Sequence, residues 1–396
     1  MKHVDEFRDK ALSQRLIARA TALVPAVQRK LGRAASEPVK IMEVCGGHTH
    51  AIFKYGLEGL LPQTLELVHG PGCPVCVLPV GRVDDAISVA ERPEVIFATF
   101  GDALRVPGSE RSLLQCKARG ADIRVVYSPA DALALAVAEP GRQVVFFGLG
   151  FETTAPSTAL VVLDAHARGV PNFSVLSNHI TIMPTLQAIL AAPGLALDGF
   201  IGPGHVSMVI GTAPYEEVAR DHHKPLVVAG FEPLDVLQAT VMVLEQLAAG
   251  EARIDNQYQR VVRAAGNPRA QAVLAEVFEP RDTFEWRGLG WIPRSGLRLR
   301  EAYAAFDAER RFPIANLSLP DHQACQCGEV LKGAIKPWQC KVFGTACTPD
   351  TPIGACMVSS EGSCAAYYNY GRLSTVRRIK DAKDDKDPKA SREAAP

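Results

Sequence analysis

The sequence predicts an α/β protein with three parts. Two are related parallel-sheet domains facing a cleft, and the third is a C-terminal, mostly helical and loop domain. Three observations carry this. Short β-rich apolar runs alternate with Ala/Leu-rich helical stretches, the pattern of Rossmann-like layers with helices covering a parallel sheet. Turn motifs at strand ends recur in order along the chain. The last quarter trades apolar runs for closely spaced cysteines.

The strands are read first. "KIMEV" (40–44), "TLELV" (64–68), "EVIFATF" (94–100), "DIRVVY" (122–127), "QVVFFGLG" (143–150), "NFSVLS" (172–177), "DGFIG" (198–202) and "PLVVAG" (225–230) are short, apolar and bounded by turn residues, as strands buried on both faces are. "ADALALAVAE" and "TLQAILAA" supply helices between them. The turns after the strands echo one another. "CGGHTH" at 45, "GPGC" at 70 and "GDALRV" at 101 are followed by "SNHIT" at 177, "GPGH" at 202 and "FEPLDV" at 231, offsets of 132, 132 and 130 residues. Three matches in order predict two similar halves whose post-strand loops share a cleft, since open α/β sheets bind ligands beyond strand C-termini. The expected division is a helical segment 1–35, a first α/β domain 36–130, a second 131–240, a helical and cysteine-rich domain 241–372, and a disordered charged tail 373–396.

Composition narrows the function. Lys+Arg and Asp+Glu both number 43 in 396 residues, so the formal net charge is zero. That argues against a nucleic-acid or anionic-membrane partner. No run approaches the ~18 apolar residues of a membrane span. The N-terminal stretch mixes charge with apolar residues at helical spacing and lacks the apolar core of a secretory signal. A cytoplasmic location is expected, and there ten cysteines point to metal or redox chemistry rather than a disulfide scaffold.

Six of the ten form a C-x-C-x12-C-x6-C-x8-C-x7-C series, Cys325, Cys327, Cys340, Cys347, Cys356 and Cys364. A metal site fits this better than six inert thiols. The gaps match the Cys-x2–4-Cys pairs of structural zinc poorly, and Gly/Pro-rich loops with scattered thiols suit an iron–sulfur cluster. Zinc remains the competing reading. Cys45 sits at a strand end before two glycines, with His48 three residues on as a base, acid or supporting donor; a buried Cys with a capping His is the plain alternative. In "HGPGCPVCVLP" (69–79), Pro71, Pro74 and Pro79 fix the backbone around Cys73 and Cys76. A pair held that stiffly can switch between dithiol and disulfide with little reorganisation, or present thiolates to a soft metal. Cys116 reads as core. "GLGFETTAP" (148–156) resembles a nucleotide turn but lacks the third glycine, and no G-x4-G-K-[ST] loop is present. Asp102 and His205 are candidates because each follows a strand.

Taken together, "CGGHTH", "GPGCPVC", "FATFGDALRVPGS", "GFETTAP", "GPGHVS" and "CMVSSEGSCAAYYNYG" resemble, in order and over about residues 40–370, the HypD family of [NiFe]-hydrogenase maturation factors. The resemblance implies two related α/β domains plus a domain carrying a [4Fe-4S] cluster. It implies a complex with a HypC-type small chaperone on which an iron carrying CN and CO ligands, the Fe(CN)2(CO) fragment, is assembled. Cyanide would come from a HypE-type donor, and the hydrogenase large subunit would be served indirectly. Cys325, Cys340, Cys347 and Cys364 match the cluster ligands by their C-x14-C-x6-C-x16-C spacing. Cys327 and Cys356 match a redox pair, Cys45 the iron ligand, and Cys73 and Cys76 the cleft dithiol. An assembly scaffold with redox activity, rather than a conventional turnover enzyme, is the expectation. The alternatives are an iron–sulfur-dependent thiol–disulfide oxidoreductase, a nucleotide-using enzyme and a zinc-stabilised interaction module.

Overall fold

The computed structural model describes residues 9–192 and 197–371. The expected tail, 373–396, lies outside the described residues. Nine strands build two parallel sheets: β1 (Val39–Glu43), β2 (Leu65–His69), β3 (Val95–Thr99), β4 (Ile123–Val125), β5 (Gln143–Gly150), β6 (Phe173–His179), β7 (Gly199–Pro203), β8 (Leu226–Ala229) and β9 (Ile254–Asn256). The first sheet runs β2-β1-β7-β8-β9 and the second β4-β3-β5-β6. Every neighbouring pair is parallel, with Ile41 opposite Leu67 and Gly199, and Phe97 opposite Ile123 and Val145. The central strands are buried on both faces, which is why their sequences show no alternation. All eight strands read from the sequence are present.

The division of the chain differs from the expected one. The first sheet takes β1 and β2, leaves the chain, and resumes with β7 to β9; the second sheet is built entirely from the intervening β3 to β6. Segments 36–130 and 131–240 therefore each contribute to both sheets. The 130–132-residue echo pairs β1 with β6 and β3 with β8, which belong to different sheets, and β2 with β7, which share the first. It reflects a common need for tight glycine turns after buried parallel strands. Kinship between the two sheets shows instead in their connectivity. Numbered in chain order within each sheet, the first runs 2-1-3-4-5 and the second 2-1-3-4, the second unit being inserted into the first.

The N-terminal helix Lys10–Lys30 is capped by the Asp9 side chain, which accepts from the Leu12 N–H at 3.0 Å. Its Ala20, Leu23, Val24 and Val27 share a core with Val236, Val243, Leu244 and Leu247 of the helix Pro233–Ala249 and with β1 and β2. The region 241–312, expected to be helical, also holds two antiparallel pairs: β10 (Phe278–Pro280) with β13 (Leu297–Leu299), and β11 (Thr283–Trp286) with β12 (Gly290–Pro293). Phe284 and Trp286 alternate inward in β11. Gly288 and Gly290, at φ of +74° and +81°, turn the chain back. The cysteine-rich lobe is mostly irregular, with short helices such as Cys327–Leu331 and Ser363–Ala366. It has no core of its own: Cys327, Cys347, Cys356 and Cys364 are buried in the same cluster as Cys73, Cys76, Val68 and Phe97.

Candidate functional site

In a sheet that begins 2-1-3-4 the crossover connections diverge between the first and third strands, and the crevice there is the default ligand site. Both sheets present this point to one cleft of about 620 Å³. From the first sheet come Cys45, after β1, and His205, after β7. From the second come Asp102, after β3, and Thr153 and Thr154, after β5. Gly72 to Val75 and Ser359 to Glu361 close it. Cys45, Cys73, Asp102 and His205 are thus brought together, while His48 and Cys76 stand behind the wall.

Cys45 is the extended residue that begins the helix Gly46–Lys54. Its N–H donates to Glu43 Oε2 at 2.9 Å, and its carbonyl accepts from the His48 N–H at 2.8 Å. Burial, then the charges of Glu361 and Glu43, push its thiol well above the ordinary range; the backbone N–H groups of Gly47 and His48 oppose them. Such a thiol is inert until a cation displaces its proton. Glu43 is fully buried and anchors the loop. Besides the Cys45 N–H it accepts from the Thr49 hydroxyl and from His69 Nδ1–H at 2.8 Å, with His69 Nε2 3.4 Å from Glu58. Burial alone would lower the His69 pKa, but Glu43 and Glu58 outweigh it and the net shift is upward.

His48 is buried, not exposed to the cleft. Its Nε2–H is shared between the carbonyls of Ala229, at 3.1 Å, and Gly230, at 2.9 Å. Burial holds it below the ordinary histidine range, hence neutral. It is a strut tying the Cys45 helix to the end of β8. His205 is exposed to the cleft, and partial desolvation followed by the proximity of His48 lowers its pKa.

The stiff dithiol now has a physical setting. The helix after it starts only at Val80, beyond Pro79, so no helix N-terminus activates the thiols. Gly72 brings the turn so close that a Cβ there would stand 2.5 Å from the carbonyl carbon of Val44 and closer still to Cys45. Cys73 faces the cleft, and Cys76, without solvent exposure, backs it. Cys76 neighbours both Cys73 and Cys356, and burial first, then those thiols, push its own far up. Cys356 in turn neighbours Cys327 and Cys76, which pull it down to about 6 against burial. Cys327 is also near Cys325, whose sulfur accepts from the Cys327 N–H at 3.5 Å, and near Cys364, and it raises both. Six thiols are therefore neighbours in turn from the cleft into the lobe: Cys73, Cys76, Cys356, Cys327, and then Cys325 and Cys364.

Cys347 lies beside this group, its sulfur accepting from the Ile353 N–H at 3.4 Å. A Cβ at Gly354 would meet the Cys327 sulfur at 2.5 Å and that of Cys325 more closely. Cys340 is half-buried at the edge and is not drawn into the thiol contacts. Among the described residues no three His, Cys, Asp or Glu side chains stand together at the spacing of ligands to one ion. A multinuclear cluster takes its thiolates from sulfurs that do not touch one another. Backbone N–H groups directed at sulfur, thiols on separate Gly/Pro loops and partial exposure fit that donor set.

Three residues of this site went unread in the sequence. Glu43 is a carboxylate at the end of β1, Glu361 sits within "SSEGSC", and Phe231 follows β8.

Residues 18–371 match the profile of the family described as HypD, Hydrogenase formation hypA family. The chain belongs to the HypD family. It is 57% identical over 375 residues to hydrogenase maturation factor HypD of Rhodobacter capsulatus, covering 94% of this chain and 98% of that one. Against HypD of Rhizobium leguminosarum bv. viciae the figures are 53% over 390 residues, 97% and 99%. Against HypD of Escherichia coli K12 they are 55% over 370 residues, 93% and 98%. The cysteine-rich lobe is compatible with metal or iron–sulfur binding in this HypD family member. Among its described residues no helix is long and apolar enough to cross a membrane.

Proposed function

We propose that the protein is a cytoplasmic scaffold of [NiFe]-hydrogenase maturation on which an Fe(CN)2(CO) fragment is assembled. It would act in complex with a HypC-type small chaperone, receive cyanide from a HypE-type donor, and serve the hydrogenase large subunit indirectly. The observation that carries the reading is the shared cleft, where a single buried cysteine faces one end of a continuous chain of thiols.

The iron is cargo. Cys45 holds it as thiolate, with a second thiolate supplied by the small chaperone; soft thiolates suit low-spin iron carrying π-acceptor ligands. The buried Glu43 network fixes the Cys45 backbone before iron arrives, and Asp102 and His205 face the fragment from the other loops. Cys325, Cys340, Cys347 and Cys364 would hold a [4Fe-4S] cluster, which supplies single electrons when bound. Cys327 and Cys356 form the redox pair between it and the cleft. Cys356, the thiol that its neighbours pull downward, attacks as thiolate the Cys76 sulfur of an oxidised Cys73–Cys76 pair, and Cys73 leaves as the thiolate. Cys327 then displaces Cys76, so two electrons have moved from Cys327/Cys356 to the cleft dithiol.

The test is an infrared spectrum of the anaerobically purified protein co-expressed with its small partner, in the window of metal-bound C≡N and C≡O stretches. Bands from both ligands that vanish in Cys45→Ala, with the C-terminal iron retained, are the expected result. An empty window with partner bound overturns the scaffold. The continuity of the thiols would then favour an iron–sulfur-dependent thiol–disulfide oxidoreductase, tested by steady reduction of a small disulfide.

A further inference from the structure

The two histidines nearest the cleft are joined through one aromatic residue. The ring of Phe231 lies between them. His205 stacks on it at 3.9 Å between ring centroids with planes 28° apart, and His48 stacks at 4.8 Å and 25°. The surrounding backbone is cut to fit this ring. A Cβ at Gly47 would stand 2.8 Å from Phe231, and one at Gly204 would stand 3.1 Å from both Phe231 and Tyr258. Tyr258 meets Phe231 edge-on at 6.2 Å and 88°, with the Arg260 guanidinium 4.4 Å over the Tyr258 ring. Arg260 is in turn held by both oxygens of the buried Asp235 carboxylate. The assembly is anchored at both ends. His48 is fixed by two carbonyls of the β8 terminus, and Asp235 lies in the first turn of the helix that begins at Pro233.

His205 has no side-chain hydrogen bond of its own among those of the described residues, and its helix, Gly204–Ile210, is short. Its orientation toward the cleft therefore rests on ring stacking. We infer that Phe231 is a positioning residue, an aromatic plate that orients His205 over the fragment and locks its loop to the Cys45 loop through His48. The functional half of this inference rests on the scaffold reading of the cleft; the geometric half does not.

The experiment uses the full chain with its small partner and histidines labelled at the ring Cε1, in wild type, Phe231→Leu and Phe231→Tyr. The His205 resonance is identified by its disappearance in His205→Asn. Atoms over an aromatic face are shielded, so the His205 proton should move downfield in the Leu variant and stay in place in the Tyr variant. Infrared bands of the bound fragment should lose most of their intensity in the Leu variant, survive in the Tyr variant, and leave the iron and sulfide of the cysteine-rich lobe unchanged. Phe231 is half-buried, and Phe231→Met repeats the test if the Leu chain fails to fold. An unmoved His205 resonance in the Leu or Met variant overturns the plate. A moved resonance with bands at full intensity overturns its role in loading. Bands missing from the wild type instead overturn the scaffold reading, and the resonance alone then decides the plate.

Discussion

Replacing Gly72 with alanine tests the claim that the stiff loop exists to bring the dithiol against Cys45. The added methyl would stand 2.5 Å from the Val44 carbonyl carbon, where ordinary contact begins at 3.4 Å, so the two loops must part by at least 3.4 − 2.5 = 0.9 Å. The opposing atoms are backbone, pinned by Gly70 N–H to the Glu43 carbonyl at 2.8 Å and by the Glu43 side chain to the Cys45 N–H. They cannot turn aside as a side chain would. Overpacking of this kind costs about 1–3 kcal/mol, and a ~1 Å misplacement of reacting groups costs on the order of 100-fold in rate. Folding should survive and function should not. Two assays read this: the denaturant midpoint, expected to fall modestly, and the C≡N and C≡O bands, expected to disappear. Gly141→Ala is the control, since a Cβ there meets nothing within 4 Å. If Gly72→Ala loads the fragment like the control, the contact between the two loops is incidental and the reasoning fails.

Three further outcomes follow from the same geometry. Glu152 is buried with one oxygen unpartnered, and burial raises its pKa from 4.5 to about 7. Between those values the folded state holds a proton that the unfolded state has lost, so stability falls as pH rises through that window and levels off above it. Glu152→Gln should flatten the profile and stabilise the protein at neutral pH by about 3 kcal/mol, read from denaturant midpoints; a profile unchanged from wild type refutes the assignment. Glu43→Gln places an amide against at least one of three donors, the Cys45 N–H, the Thr49 hydroxyl and His69. It should cost roughly 3 kcal/mol, and an unchanged midpoint would show that the network is not an anchor. Gly354→Ala drives a methyl into the Cys325 and Cys327 sulfurs and should strip iron and sulfide from the C-terminal lobe by elemental analysis; full retention would exclude these thiols from the metal site.

How much of this was legible in sequence follows from what each signal measures. Strands buried on both faces announce themselves as apolar runs, and all eight read that way are present. β9 reads Ile-Asp-Asn at a sheet edge and carries no such signal. Which strands share a sheet is a non-local fact. Turn chemistry repeats wherever a parallel strand ends, so an echo of turns cannot tell an inserted unit from two consecutive ones. Cysteines are legible because few other roles compete for them; of the ones singled out, Cys45 and Cys73 line the cleft, Cys76, Cys356, Cys327, Cys325 and Cys364 follow behind, and Cys340 stands apart. The residues that hold them in place are not legible. Glu43 looks like a polar strand end and Phe231 like any aromatic after a strand, and their roles appear only once the fold brings separate elements together, His69 to Glu43 and His48 to Phe231.

The insertion topology itself has a mechanical consequence. Because the second unit leaves and re-enters the first between β2 and β7, the two switch points are joined by two covalent connections rather than one hinge. The cysteine-rich lobe adds a third tie. Arg105, after β3, donates to the carbonyls of Pro349 and Val358, while Lys336 donates to the Leu67 carbonyl at the first sheet. A cleft so braced resists the wide opening common between singly linked domains. Rigidity keeps Cys45, Cys73 and the buried thiols in register, as the proposed stepwise addition of ligands would require. On the proposed scaffold reading, a cleft that does not open wide would pass its cargo on by transfer to a docked partner rather than by release.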